Sequence, residues 1–96
     1  MLFVVTAIDK ENALALRLAT REAHFAYARE TGVIRLGGPF LYAEGEMAGS
    51  LIVFEAADLD AARTWHAGDP YVKAGLFAHS EVRPWKMTFN GCDAKL

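Results

Sequence analysis

Blocks of apolar residues separated by short polar turns run along the chain, and their spacing predicts its elements. Residues 2–8 are apolar and rich in β-forming types, which predicts the first strand. Across residues 13–30, apolar side chains recur at steps of three and four, the pattern of a helix with one buried face. Gly32 follows as a helix stop, because glycine readily adopts the left-handed conformation that ends helices.

The middle of the chain predicts a hairpin followed by a second helix. Residues 33–36 form a short apolar segment that ends at Gly37-Gly38-Pro39, and residues 50–55 form another, with a glycine-containing loop between them. Asp58 is a favourable N-cap for a helix that runs to about Ala67, because its side chain can accept hydrogen bonds from backbone N–H groups of the first turn.

A short helix and a last strand complete the pattern. A residue before proline avoids the helical conformation, while proline suits the first helical position, so Asp69-Pro70 predicts a helix start that Gly75 closes. Residues 77–89 are strand-like. Because Pro84 cannot donate a ladder hydrogen bond, this strand is predicted to lie at a sheet edge.

The element order is therefore βαββαβ, which predicts a ferredoxin-like α+β fold. Its four-stranded antiparallel sheet should carry the helices on one face. With 96 residues, 53% of them hydrophobic, and no linker-like tract, the chain is predicted to form one domain, with a core of residues 1–89 and a tail of residues 90–96.

The predicted strands are apolar on both faces, although the chain has helices for only one. The segments LFVVTAI and LIVF are apolar at nearly every position, so the second face needs a cover. The same face of another copy supplies it most simply, which predicts a homodimer. Alternatively, small and β-branched residues are merely tolerated on an open face.

Composition excludes several partner classes from the expectation. Ten basic and twelve acidic residues give a net charge of -2 without a basic run, so no nucleic-acid partner is expected. The apolar start of the chain is too short for a membrane span and lacks signal-peptide features. The lone Cys92 cannot form an intrachain disulfide, so a cytoplasmic location is expected.

Histidine chemistry centres on His24, which the helical period places at the edge of the apolar face beside Arg17 and Arg21. A histidine at the rim of a cleft is a candidate general base, and the arginines are candidates to attract an anionic oxygen. The alternatives are a border histidine that bonds a backbone carbonyl, and a solvated arginine flank. Asp69 is explained by capping alone, yet a rigidly held carboxylate could also orient His24.

The other two histidines are not expected to act chemically. His66 on the second helix is predicted to be a half-buried packing residue, and His79 on the last strand is predicted to meet solvent or a dimer partner. No pair of histidines has the three- or four-residue spacing of a helical metal site, so no metal is expected.

Several short motifs, in this order and spacing, resemble the YciI-like (YCII-related) family of the dimeric α+β barrel superfamily, over residues 1 to about 89. They are Arg17-Leu18, Arg21 with His24, Gly38-Pro39, Gly49-Ser50, Asp69-Pro70-Tyr71-Val72, Ala74-Gly75 and Val82-Arg83-Pro84-Trp85. The resemblance implies a small cytoplasmic enzyme or enzyme-like protein with a histidine and an aspartate paired in a cleft. These map onto His24 and Asp69. The segment FLYAEGEMA after Gly38-Pro39 departs from the family as a shorter and more apolar loop, and residues 90–96 have no counterpart.

These observations give two hypotheses of different class. The first is a cofactor-free acid–base enzyme that eliminates, isomerises or hydrolyses a small molecule, with His24 moving the proton and Asp69 orienting it. The expected substrate contacts are Arg17, Arg21, Gly38, Pro39, Ser50 and Tyr71. The second is a non-catalytic ligand-binding or regulatory module. Oxygenase chemistry fits less well, because nothing resembles a haem-ligand site.

Overall fold

Seven elements make up the structure, a computed structural model that describes all 96 residues. They are β1 Leu2–Asp9, α1 Leu14–Thr31, β2 Ile34–Leu41, β3 Met47–Glu55, α2 Leu59–Ala67, α3 Pro70–Lys73 and β4 Phe77–Pro84. None of the helices is both long enough and apolar enough to cross a membrane.

The four strands form one antiparallel sheet in the order β2-β3-β1-β4, which confirms the predicted ferredoxin-like fold. In the centre of the sheet, Val5 of β1 pairs with Ile52 of β3 on one side and with Val82 of β4 on the other. The predicted edge position of the last strand is confirmed, and β2 forms the opposite edge.

The core lies between the sheet and the helices and follows from strand alternation. Phe3, Val5 and Ala7 of β1 are fully buried on the helix side, where they meet Ile52 and Phe54 of β3. Burying a valine, isoleucine or phenylalanine side chain contributes about 1.5–3 kcal/mol. Ala62 of α2 belongs to the same buried cluster, and Leu59 and Trp65 pack against it, so one apolar layer joins the sheet to α2.

Helix termini follow the local chemistry predicted from the sequence. Gly32 adopts the left-handed conformation after α1, and its N–H donates to the carbonyl of Ala28. The Asp58 carboxylate accepts from the backbone N–H of Ala61 at 2.8 Å and caps α2. By contrast, Ala13 precedes α1 without a side-chain cap, and Arg17 is the one buried residue of this helix.

The hairpin differs from the prediction at both strands. The predicted end of β2 at Leu36 is wrong, because β2 continues through the glycines and Pro39 to Leu41. An edge strand tolerates proline, since one side of its backbone needs no ladder partner. The strand β3 begins at Met47 and not at Ser50, so the connecting loop is shorter than FLYAEGEMA and spans residues 42–46.

The last strand is shorter than predicted and ends at Pro84. Trp85 still donates its N–H to the carbonyl of Leu2, but the residues after it form neither helix nor strand. Phe89, which the pattern placed within the strand, is 90% exposed. Residues 85–89, which the apolar pattern assigned to the last strand, are therefore not part of the sheet.

Candidate active site

A cleft of about 250 Å³ opens between α1 and the strands β2 and β3. Its apolar wall is formed by Phe25, Ala28, Ile34, Met47 and Ile52. Seven of the eight residues selected from the sequence also line it: Arg17, Arg21, His24, Gly38, Pro39, Ser50 and Tyr71. The eighth, Asp69, lies behind His24, so the structure brings the whole set together.

His24 and Asp69 form a hydrogen-bonded pair beside this cleft. The Nδ1 atom of His24 lies 2.9 Å from Oδ1 of Asp69, although the two residues are 45 positions apart. The Asp69 side chain is completely buried, and that of His24 is 12% exposed. A carboxylate only accepts hydrogen bonds, so Nδ1 of the neutral imidazole carries the hydrogen and Nε2 keeps its lone pair. No protein group bonds Nε2.

Capping and pairing use the same oxygen of Asp69. As predicted, Asp69 is the N-cap of α3, and its Oδ1 accepts from the backbone N–H of Tyr71 at 2.9 Å. The capping role therefore fixes the carboxylate that faces His24. The Tyr71 ring in turn stacks on the imidazole, with ring centroids 4.1 Å apart and planes 16° from parallel. The imidazole is held both at its edge and on its face.

Arg17 lies on the floor of the cleft and is not part of a solvated flank. It is only 3% exposed, and it forms a two-point ion pair with Asp9, from Nε at 2.8 Å and from Nη2 at 3.0 Å. Its guanidinium also lies 4.7 Å from the centre of the Tyr71 ring. The charge of Arg17 is therefore balanced inside the protein.

Ser50 joins the same buried network. Its Oγ accepts a hydrogen bond from Nη2 of Arg17 at 2.8 Å, and Nη2 also donates to the carbonyl of Gly49 at 2.8 Å. Gly49 lies against the carbonyl oxygen of Ala7, where a Cβ atom would collide with backbone. This close approach explains a glycine directly before Ser50.

Arg21 supplies the unbalanced positive charge at the mouth of the cleft. It is exposed, has no ion-pair partner, and its guanidinium lies 5.2 Å from the centre of the Phe25 ring. Burial raises the pKa of Tyr71 above its ordinary value, while the charges of Arg17 and Arg21 act in the opposite direction. The Tyr71 hydroxyl therefore stays protonated at neutral pH and can donate a hydrogen bond.

The remaining histidines lie outside the cleft. His66 is 7% exposed, so it is more deeply buried than the predicted half-buried position; its Nε2 pairs with Ser80 Oγ at 3.0 Å. His79 is exposed and pairs with Glu81 at 3.1 Å, and this contact, with the charge of Arg83, lowers the pKa of Glu81. No three acidic, histidine or cysteine side chains cluster so that they could hold a metal ion.

The sequence interpretation missed Asp9. This residue directly follows the predicted strand of residues 2–8, whereas the structure makes it the last residue of β1, and it is 6% exposed. Its position continues the alternation of Phe3, Val5 and Ala7 toward the helices. That alternation was the available signal, because a carboxylate on the buried face of a strand requires a cationic partner.

The fold and the cleft together define a ferredoxin-like α+β protein with a histidine–aspartate pair beside a small pocket. The model of the YCII-related domain matches residues 1–86, and the chain belongs to this family. This confirms the resemblance stated from the sequence motifs. Protein YciI from Escherichia coli O6:H1 is 35% identical over 98 residues, which cover 93% of this chain and 100% of that protein.

Two solved structures are similar to this chain to different degrees. The 5-chloro-2-hydroxyhydroquinone dehydrochlorinase TftG from Burkholderia phenoliruptrix AC1100, in complex with 2,5-dihydroxybenzoquinone, is 36% identical with a TM-score of 0.83. The match covers 90% of this chain and 94% of that one. An antibiotic biosynthesis monooxygenase, at 14% identity and a TM-score of 0.57, covers 91% of this chain and 98% of its own and shares the fold alone.

The buried His66 predicts a specific loss of stability in acid. Burial lowers the pKa of His66 below its ordinary value of 6.5, and the negative charge of Asp69 offsets this only in part. Below about pH 6.5 the unfolded chain therefore takes up a proton that the folded chain does not, and the free energy of unfolding falls as the pH falls. His66→Gln removes this contribution.

Urea unfolding at about pH 7.5 and about pH 5 measures how much the free energy of unfolding falls in the parent and in His66→Gln. One proton contributes at most about 1.4 kcal/mol per pH unit. We expect the parent to lose more stability than the variant between the two conditions. An equal or larger loss in the variant would contradict the assignment.

Proposed function

We propose that this protein is a small acid–base enzyme that uses His24 as the proton-transferring group. The observation that carries the proposal is the contact of His24 Nδ1 with the buried Asp69 carboxylate, which leaves Nε2 available in the cleft. Asp69 orients the imidazole and stabilises the imidazolium that forms when Nε2 accepts a proton. No organic cofactor or metal enters the proposal.

A small ring compound is the proposed substrate. The cleft volume of about 250 Å³ and its apolar wall suit a single ring with a few polar substituents. The similar protein TftG is a dehydrochlorinase whose structure holds 2,5-dihydroxybenzoquinone, a molecule of this kind. In a dehydrochlorination, His24 takes the proton, the electrons of the broken bond to hydrogen move into the substrate, and chloride leaves with its bonding pair.

The other residues of the cleft are proposed to bind the substrate. Arg21 at the mouth attracts a negatively charged oxygen, and Ser50 and Tyr71 offer hydroxyl donors. Gly38 and Pro39 of β2 bring backbone close to the ligand without a bulky side chain. Isomerisation or hydrolysis would use the same proton transfer, and the cleft would serve a binding module if no turnover occurs.

We further propose that the protein is a homodimer formed through the sheet face opposite the helices. On this face, the pairing places Val4 beside Val53 and Thr6 beside Leu51; Val53 is 4% exposed, and the other three are partly exposed. Ile8 and Leu36, which lie on the same face, are 51% and 38% exposed. Contiguous apolar surface of this kind is typical of protein interfaces. The single-domain organisation, the cytoplasmic location and the absence of nucleic-acid and membrane partners stay predictions.

Substitutions in the pair test the proposed chemistry. With 5-chloro-2-hydroxyhydroquinone as substrate, we expect the parent to release chloride and His24→Ala to be about 100-fold to 10,000-fold slower. Asp69→Asn is the sharper variant, because asparagine still caps α3 while the charge behind His24 is removed. It should fold normally and lose about 100-fold or more in kcat.

The rate of chloride release measures turnover, and a screen of other chlorinated phenols extends the test to related substrates. Circular dichroism is the control for folding. Equal turnover by the parent and His24→Ala would remove the proposed mechanism. Saturable binding of the ring compound without turnover would instead identify a binding module.

Two aliphatic residues of similar exposure, one on each side of the protein, test the dimer. Ile8 on the open sheet face and Leu18 on α1 are 51% and 49% exposed. We expect Ile8→Glu to convert the protein to monomers, because a charge placed in an apolar interface is not solvated, and Leu18→Glu to leave the dimer intact. Sedimentation at micromolar concentration measures the mass. A parent of 10.5 kDa, the mass of one chain, would contradict the proposal.

A further inference from the structure

We propose that Asp9 is a positioning residue of the cleft, which acts through Arg17 to hold the Ser50 hydroxyl as a hydrogen-bond donor toward an oxygen of the bound ligand. The inference rests on the proposed function for the class of ligand, a compact ring compound. Beyond the proposed function, it assigns a role to Asp9, which does not line the cleft, and it makes the Ser50 hydroxyl the donor of its hydrogen bond to the ligand.

The ion pair between Asp9 and Arg17 is rigid and almost fully buried. Both carboxylate oxygens are used, at 2.8 Å by Nε and at 3.0 Å by Nη2 of Arg17. Counting side-chain atoms alone, Asp9 is 3% exposed and Arg17 is 4% exposed. A two-point contact of this kind fixes the guanidinium plane, because either oxygen alone would allow rotation.

Hydrogen-bond accounting then sets the direction of the Ser50 hydroxyl. A serine hydroxyl has one donor hydrogen and an oxygen that accepts. Nη2 of Arg17 shares its two hydrogens among Asp9 Oδ1, the Gly49 carbonyl and this oxygen, which lies 2.8 Å away, and arginine has no lone pair that could accept in return. No protein group accepts the hydroxyl hydrogen, and Ser50 lines the cleft. A ligand oxygen is therefore the partner that the arrangement selects.

Charge balance decides what kind of oxygen this is. The carboxylate of Asp9 cancels the charge of Arg17, so the floor of the cleft presents a polarised hydroxyl and not a free cation. A carbonyl or phenolate oxygen suits such a donor. His24 Nε2 accepts a proton in the same cleft, so the ligand carries an oxygen acceptor toward Ser50 and an acidic hydrogen toward His24.

A purely structural role explains the pair less well. A buried ion pair is often no more stabilising than apolar side chains of similar volume, because both charges lose their hydration. The Asp9–Arg17 pair nevertheless lies under the cleft, and Arg17 donates a hydrogen bond to the hydroxyl of Ser50, which lines the cleft. This placement favours a role in ligand binding.

The test is a set of binding measurements with 2,5-dihydroxybenzoquinone by titration calorimetry. In the parent we expect Ser50→Ala to weaken binding about 10-fold, the effect of losing one hydrogen bond to a polar ligand. In the Asp9→Leu/Arg17→Met background, which replaces the ion pair by apolar side chains, the same Ser50→Ala substitution should cost about 2-fold or less.

Arg21→Gln is the matched control, because Arg21 has no contact with the Asp9 network. Its effect on affinity should be the same in both backgrounds. Asp9→Asn, which keeps the shape and one acceptor oxygen, provides a second background should the double variant not fold. Ser50→Cys keeps the side-chain size but donates weakly, and should bind about as poorly as Ser50→Ala.

An unchanged affinity in Ser50→Ala would overturn the inference, and so would an equal cost of that substitution in all backgrounds. Failure of the parent to bind the quinone would overturn it as well, while the His24 mechanism would still be judged by turnover. Binding with the expected coupling but without turnover would support the role of Asp9 and reject the enzyme.

Discussion

Burial of the Asp69 carboxylate is the interaction on which the site depends. A charge removed from water requires hydrogen-bond donors, and Asp69 finds two of them in the N–H of Tyr71 and Nδ1 of His24. The first donor starts the helix α3, and the second ties α3 to the middle of α1. The same carboxylate thus closes the fold at this point and fixes the imidazole, so that architecture and candidate chemistry share one group.

Around this pair, the cleft divides its charges between a balanced floor and an unbalanced mouth. Arg17 is neutralised by Asp9 beneath the cleft, whereas Arg21 stands free at the entrance. A negatively charged or strongly polar ligand would be attracted at the mouth by Arg21 and held inside by directed hydrogen bonds. Selectivity inside the cleft then depends on hydrogen-bond direction more than on net charge.

Much of the fold could be predicted from the sequence because its signals are local. Helical periodicity indicated α1, Gly32 ended it, and Asp58 and Asp69 capped the next two helices. The extent of β2 could not be predicted, because glycines and a proline are tolerated in a strand only once its edge position is known.

The site shows the same division between local and long-range information. His24 and Asp69 are 45 positions apart; capping chemistry allowed their pairing, and the resemblance to a family pattern favoured it before the structure did. The alternation along β1 places Asp9 on the buried face, but its partner Arg17 comes from the next element and was not linked to it. The pairing of two buried charges is a property of the packed chain, so the local pattern of either residue does not contain it.

The tautomer of His24 tests the central claim most directly. Nitrogen-15 NMR of the imidazole, in the parent chain at a pH where His24 is neutral, reports which ring nitrogen carries the hydrogen. The account predicts hydrogen on Nδ1, facing Asp69, and a lone pair on Nε2, facing the cleft. A neutral imidazole with its hydrogen on Nε2 would contradict it, because that nitrogen could then accept no proton from a substrate.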